Sequence, residues 1–183
     1  MIISLSGTPG SGKSTIAKFL EKKLKWPRYY MGGLMRQYAK EHNMTLEKLN
    51  ELCLKDSKVD KEVDLYQSKL GKEHDNFVIE GRTSWHFIPK SLKIFVYVDP
   101  EEAAKRIFKD STERNERKYH SVEEMKHAIL ERMDNDSARY KKYYNIEVYN
   151  PENYDVVIDT TGLTIEQAEQ KILAIVEYYN KSQ

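Results

Sequence analysis

The chain has 183 residues, with 30 Lys and Arg against 29 Asp and Glu, a formal net charge of +1 and a mean hydropathy of -0.75. That length suits one domain able to bury a core. The near-neutral charge excludes a broad electrostatic footprint for nucleic acid, and no apolar run approaches the length of a membrane span. The lone Cys53 excludes an internal disulfide and a multi-cysteine metal site. Met1 leads straight into an apolar run, which leaves no room for a targeting segment, so a cytoplasmic location is expected.

In chain order, the first predicted element is a strand at residues 2–5, followed by Gly7-Thr8-Pro9-Gly10-Ser11-Gly12-Lys13-Ser14-Thr15 and an amphipathic helix beginning Ile16-Ala17. This fits the phosphate-loop pattern G-x-x-x-x-G-K-[ST] in full, in the strand–loop–helix setting that gives the pattern its mechanism. Glycines let the backbone wrap a polyphosphate, and successive N–H groups with the helix N-terminus face its oxygens. Lys13 is expected to reach the outer phosphates, and the Ser14 hydroxyl to bind Mg²⁺. The stretch therefore predicts a site for a nucleoside triphosphate.

Further strands are predicted at residues 28–31, 77–80, 93–98 and 155–159, alternating with helical patterns. That alternation predicts an α/β fold: a five-stranded parallel sheet between two helical layers. Residues 33–71 are too long for a crossover helix and predict a small inserted helical subdomain, with Leu46, Leu49, Leu52 and Cys53 on its apolar side. Residues 109–121 are almost wholly polar, which suits either a solvated loop or a lid over the nucleotide. A long helix then begins at residue 122, with Ser121 as N-cap and Glu124 in the box position, and the last helix carries the same signature in Thr164 and Gln167.

No N-K-x-D guanine-reading element follows a later strand, and no strand ends in Asp-Glu, which argues against a switch GTPase and a motor ATPase. The chain instead carries arginines spaced to hold a second anion. Arg36 follows Gly32-Gly33 on a helix, and Arg82 follows Glu80-Gly81 at a strand end. Arg132, Asp136 and Arg139 fall at i, i+4 and i+7 of one helix, which also suits a plain ion-pair ladder. Guanidinium forks suit phosphate. Glu80 is placed to hold a water of the Mg²⁺ shell, to help orient an acceptor oxygen, or to cap the turn after its strand.

Together these residues resemble the nucleoside monophosphate kinases, most closely the archaeal-type cytidylate kinases, over residues 1–162. Gly7–Thr15 resembles the donor loop. Tyr30-Met-Gly-Gly-Leu-Met-Arg36 resembles the opening of the acceptor-binding helices, with Gly33 and Arg36 at the acceptor. Phe77-Val-Ile-Glu-Gly-Arg82 resembles the strand supplying the acidic Mg²⁺-water residue and a phosphate arginine. Glu131-Arg-Met-Asp-Asn-Asp-Ser-Ala-Arg-Tyr140 resembles the run E-R-x-x-x-D-x-x-R. The resemblance implies that Arg132 contacts phosphate, Asp136 the sugar, and Arg139 the region of the transferring group. It implies that Arg106 lies against the donor adenine and that the lid arginines Arg114 and Arg117 close on the phosphates, with Arg117 catalytic beside Lys13. Met31 and Thr83 depart from the pattern of relatives. Thr83 and Ser84 suit either pyrimidine recognition or turn chemistry.

The expectation is a single phosphate-loop kinase domain with a helical acceptor insert at 33–71 and a lid at 109–121. It would use ATP and Mg²⁺, act on CMP or dCMP as a monomer, and bind neither membrane nor nucleic acid. Two rival readings remain: a small kinase with another acceptor, such as AMP, UMP or shikimate, and an ATP-dependent binding or assembly factor with little turnover.

Overall fold

A computed structural model describes residues 1–109 and 119–181, so most of the stretch read as a lid, including Arg114 and Arg117, lies outside the described residues. The chain alternates strand and helix. β1 (Ile2–Gly7) leads to α1 (Lys13–Leu24), and β2 (Arg28–Tyr30) leads to α2 (Met31–Glu41), α3 (Leu46–Lys55) and α4 (Lys58–Glu73). β3 (Phe77–Glu80), the one-turn α5 (Ser84–Phe87), β4 (Leu92–Tyr97), α6 (Pro100–Lys109), α7 (Val122–Tyr144), β5 (Val156–Asp159) and α8 (Ile165–Lys181) follow. Among the described residues the sheet has the order β2-β3-β1-β4-β5, and every neighbouring pair is parallel. Met31 belongs to the helix rather than the second strand, the third strand has the predicted bounds, and the remaining three shift by a residue or two at their ends.

Alternation along each strand sorts side chains to the two faces. Ile3, Leu5 and Val78 join Leu20 of α1 and Ile172 of α8 in the largest cluster. Their sequence neighbours Ile2, Phe77 and Ile79 pack on the opposite face against Met31, Leu70 and Ile88. The insert has its own small centre of Ala39, Leu49, Cys53 and Val59. Leu52, predicted to share that side, is 43% exposed, because Cys53 takes the inward position on α3. Burial pushes the Cys53 thiol up to about 11, with Asp60 adding to the shift, so it is an inert packing residue.

The helix ends follow the sequence signatures. Ser121 Oγ accepts from the Glu124 N–H at 3.0 Å. Thr164 and Gln167 exchange reciprocal side-chain bonds of 3.2 and 2.9 Å at the start of α8.

Candidate active site

The carboxyl ends of the parallel strands lie along one edge of the sheet, with Gly7, Tyr30, Glu80 and Tyr97 as terminal residues. In open parallel sheets this edge is where ligands sit, at the point where the strand order reverses. Here β1 is flanked by β3 and β4, so the loop after β1 opens into that crevice.

The loop owes its shape to two glycines. Gly7 has φ 141, and a Cβ there would sit 1.9 Å from the Val96 carbonyl oxygen. Gly12 has φ 83 and is the N-cap of α1, which opens the helix N-terminus towards the crevice. Thr8 fastens the loop to β4: its N–H donates to Val96 O at 3.1 Å, and its hydroxyl accepts from Val98 N at 3.1 Å. Lys13 Nζ curls over the loop and donates to the carbonyls of Gly7 (3.0 Å) and Thr8 (2.7 Å) and to Ser11 Oγ (3.4 Å). Pro9 and Gly10 complete the turn, while Thr15 is exposed on the first turn of α1.

Ser14 Oγ donates to Glu80 Oε2 at 2.7 Å. The other Glu80 oxygen is held by Arg28, whose Nε also donates to Glu21 at 3.1 Å. The two groups read from the sequence as metal ligands, remote in the chain, are thus in contact. Glu80 does not cap the following turn.

On the other side of the crevice the arginines carry internal partners. Arg82 Nε lies 2.5 Å from Asp136 Oδ2 and donates to the Tyr149 hydroxyl at 2.9 Å. Burial works against the charge on Arg82, but Asp136 and Tyr149 outweigh it and raise its pKa above the ordinary value. Arg139 donates to Asp136 Oδ1 (2.9 Å) and Asn50 Oδ1 (3.2 Å), and its Nε lies 3.5 Å from Asp60 Oδ2. Asp136 and Arg139 are almost fully buried, so this is no exposed ion-pair ladder. Arg132 stands apart from the pair. It lines a cavity of about 450 Å³ with Pro9 of the donor loop, Asn50 of α3 and Tyr119 and Asn135 beside them, within the size range of small-molecule sites.

Thr83 belongs to a buried network that sequence reasoning missed. Its hydroxyl donates to Asp64 Oδ1 (3.0 Å) and accepts from Gln67 Nε2 (3.2 Å), while Ser84 Oγ donates to Gln67 Oε1 (2.5 Å) and Tyr144 donates to Asp64 Oδ2. Burial pushes Asp64 up to about 6, although the bonds from Tyr144 and Thr83 oppose the shift. Burial also raises Asp60, against the pull of Arg139. The turn reading of Thr83 is not what the structure has: Thr83 makes no side-chain cap bond to α5.

Arg36 Nη1 donates to the Tyr30 hydroxyl and, at 3.3 Å, to Gly32 O. Gly33 lies under the Tyr30 ring. Arg106 on α6 donates to Glu102 and to both oxygens of Thr160, whose hydroxyl in turn donates to Ser11 O at 3.1 Å. That chain joins the predicted adenine edge to the donor loop.

Sequence reasoning missed Arg28, Asp60, Asp64, Gln67 and Tyr149. A signal existed for three of them: Asp60, Asp64 and Gln67 fall at i, i+4 and i+7, one polar face of a helix in the predicted insert. Among the described residues no group of three or more His, Cys, Asp or Glu side chains is arranged to hold a metal on its own, and no helix is long and apolar enough to cross a membrane.

Comparison with known proteins gives relatives that are mostly cytidylate kinases, with a nucleotide dehydratase among them. A sequence model of the Cytidylate kinase-like family matches residues 2–162. The chain is 35% identical to a cytidylate kinase of Sulfolobus acidocaldarius, covering 98% of this chain and 96% of that protein. It is 30% identical to one of Methanosphaera stadtmanae, over 97% and 98% respectively. Among solved structures, a shikimate kinase from Bacteroides thetaiotaomicron superposes with a TM-score of 0.65 at 16% identity, over 97% of this chain and 98% of that one, a likeness of fold.

Proposed function

Since the chain belongs to the cytidylate kinase-like family, we propose that this ATP-dependent kinase transfers the γ-phosphoryl group of ATP to the phosphate of CMP or dCMP. The observation that carries the reading is the pairing of two halves across one crevice. A complete phosphate loop follows β1, Arg82 follows the neighbouring β3 and meets Asp136, which Arg139 also meets, and Pro9 of the loop lines a cavity with Arg132.

ATP would lie with its phosphates in the N–H cradle of residues 7–15 and its adenine beside Arg106 and Thr160. Lys13 would leave the loop carbonyls for the phosphate oxygens, a favourable exchange because a charge-assisted bond replaces neutral ones. Ser14 Oγ and Glu80, already 2.7 Å apart, form an all-oxygen pair suited to Mg²⁺, one directly and one through a water. When bound, that ion would neutralise charge on the phosphates.

The acceptor phosphate would be gripped by Arg36, Arg82 and Arg132, with Asp136 turned to the sugar. Arg139 would neutralise charge near the transferring group, as would Arg117 of the stretch beyond the described residues. An acceptor phosphate already ionised at neutral pH needs no strong base, so positioning and charge neutralisation carry the rate. Closure of residues 109–121 would exclude water, the competing nucleophile.

The test is a panel of monophosphates with ATP and Mg²⁺, read as ADP formation. Turnover with CMP and dCMP should exceed that with UMP and AMP by at least about tenfold, and ADP release without acceptor should be near background. Equal turnover on AMP would reassign the acceptor, and acceptor-independent hydrolysis would overturn the kinase reading.

A further inference from the structure

We propose that Tyr30 is a positioning residue for the acceptor phosphate, holding the Arg36 fork in place before substrate arrives. The idea rests on the acceptor role given to Arg36 above, but its observations are separate. Tyr30 ends β2, paired with Glu80 of β3, and is the N-cap of α2, so it stands on the rim of the crevice. It makes no side-chain cap bond to that helix. Its hydroxyl instead accepts from Arg36 Nη1, one turn and a half further on.

The ring has a built seat. A Cβ on Gly33 would lie 2.7 Å from Tyr30 Cδ1, and one on Gly32 would lie 2.9 Å from Cε2. Neither distance is tolerable, so the two glycines exist as a bare platform on which an aromatic ring can lie flat against the first turn of α2. This adds a role to Gly33, which the resemblance puts at the acceptor: its missing side chain admits Tyr30. The guanidinium carbons of Arg36 and Arg28 both lie 5.8 Å from the ring centre. Arg28 is the residue that holds Glu80, and Glu80 accepts from Ser14. Tyr30 therefore stands between the arginine that steadies the Ser14–Glu80 pair and the arginine that faces the acceptor.

Arg36 has five N–H donors. Nη1 is committed to Tyr30 and the Gly32 carbonyl, which fixes the plane of the guanidinium. A flexible side chain held in this way loses less freedom on binding. Replacing the phenol by Phe keeps the ring on its platform and removes only the anchor.

The experiment measures steady-state kinetics and equilibrium acceptor binding for wild type, Tyr30→Phe, Gly33→Ala, Arg36→Met and the double variant Tyr30→Phe/Arg36→Met. Tyr30→Phe should raise the acceptor KM and Kd roughly 5- to 20-fold, with the KM for ATP changing less than about twofold. Gly33→Ala, which displaces the ring, should give the same acceptor-selective loss. In the Arg36→Met background the Tyr30→Phe effect should vanish. An unchanged acceptor KM in Tyr30→Phe, an equal rise in both KM values, or full additivity with Arg36→Met would overturn the assignment. If wild type transferred phosphate to no monophosphate, the kinase reading would fail instead, and the binding arm would still report on Tyr30.

Discussion

Asp64 is a buried carboxylate with three donors on its two oxygens. Gln67 and Thr83 donate to one oxygen and Tyr144 to the other, yet burial still leaves its pKa up at about 6. The sign follows from linkage: a carboxyl raised on folding favours the native state while protonated, and that contribution is lost as pH rises from the unfolded value near 4 through 6. Asp64→Asn removes the titration. Its stability relative to wild type should therefore improve between about pH 4 and pH 6 and level off above that in urea unfolding experiments; a difference independent of pH, or one of opposite slope, would show that the bonds from Tyr144 and Thr83 match or outweigh burial. Asp136 is the contrasting case. Its partners are charged rather than neutral, since Arg82 and Arg139 both meet it at bonding distance.

At the scale of elements, α8 is the simplest to test because its cap is reciprocal and solvent-exposed. Thr164→Ala should lower stability by about 1 kcal/mol, read as a reduced thermal midpoint, with activity unaffected because α8 supplies no group to the crevice. The elements were legible in the sequence wherever a local pattern specified them. The phosphate loop, the five strands, both capping boxes and the insert follow from period, glycine spacing and cap chemistry. The pairings within the site were not legible. The contact of Glu80 with Ser14 spans 66 positions and that of Tyr144 with Asp64 spans 80, and no local period encodes either. Arg28 was missed for a related reason: in the sequence it is one residue of a three-residue strand, and only the register that pairs Tyr30 with Glu80 brings its side chain within reach of the carboxylate. Leu52 failed in the other direction, since apolar spacing alone could not choose between it and Cys53 for the inward position on α3.

Taken whole, the molecule is a sheet beside a helical run, α2–α4, which has its own small centre and also packs on the sheet through Met31 and Leu70. The large cluster between the sheet, α1 and α8 carries the phosphate loop, whereas the arginines proposed to hold the acceptor are shared among α2, the loop after β3 and α7. Such a division places the donor half on the stable scaffold and the acceptor half on elements with smaller apolar contacts, which are the ones free to adjust. The internal partners of the described cations have a further consequence. Lys13 rests on loop carbonyls, Arg28 on Glu80, Arg36 on Tyr30, Arg82 on Asp136, and Arg139 on Asp60 and Asp136. Nucleotide binding then becomes a trade of one set of oxygens for another, in which few mobile ions are expelled from the cleft. Isothermal titration of CMP between roughly 50 and 500 mM KCl should accordingly show less than about a threefold loss of affinity, and a much steeper loss would mean that these guanidinium groups are screened by salt at rest rather than by the protein's own carboxylates.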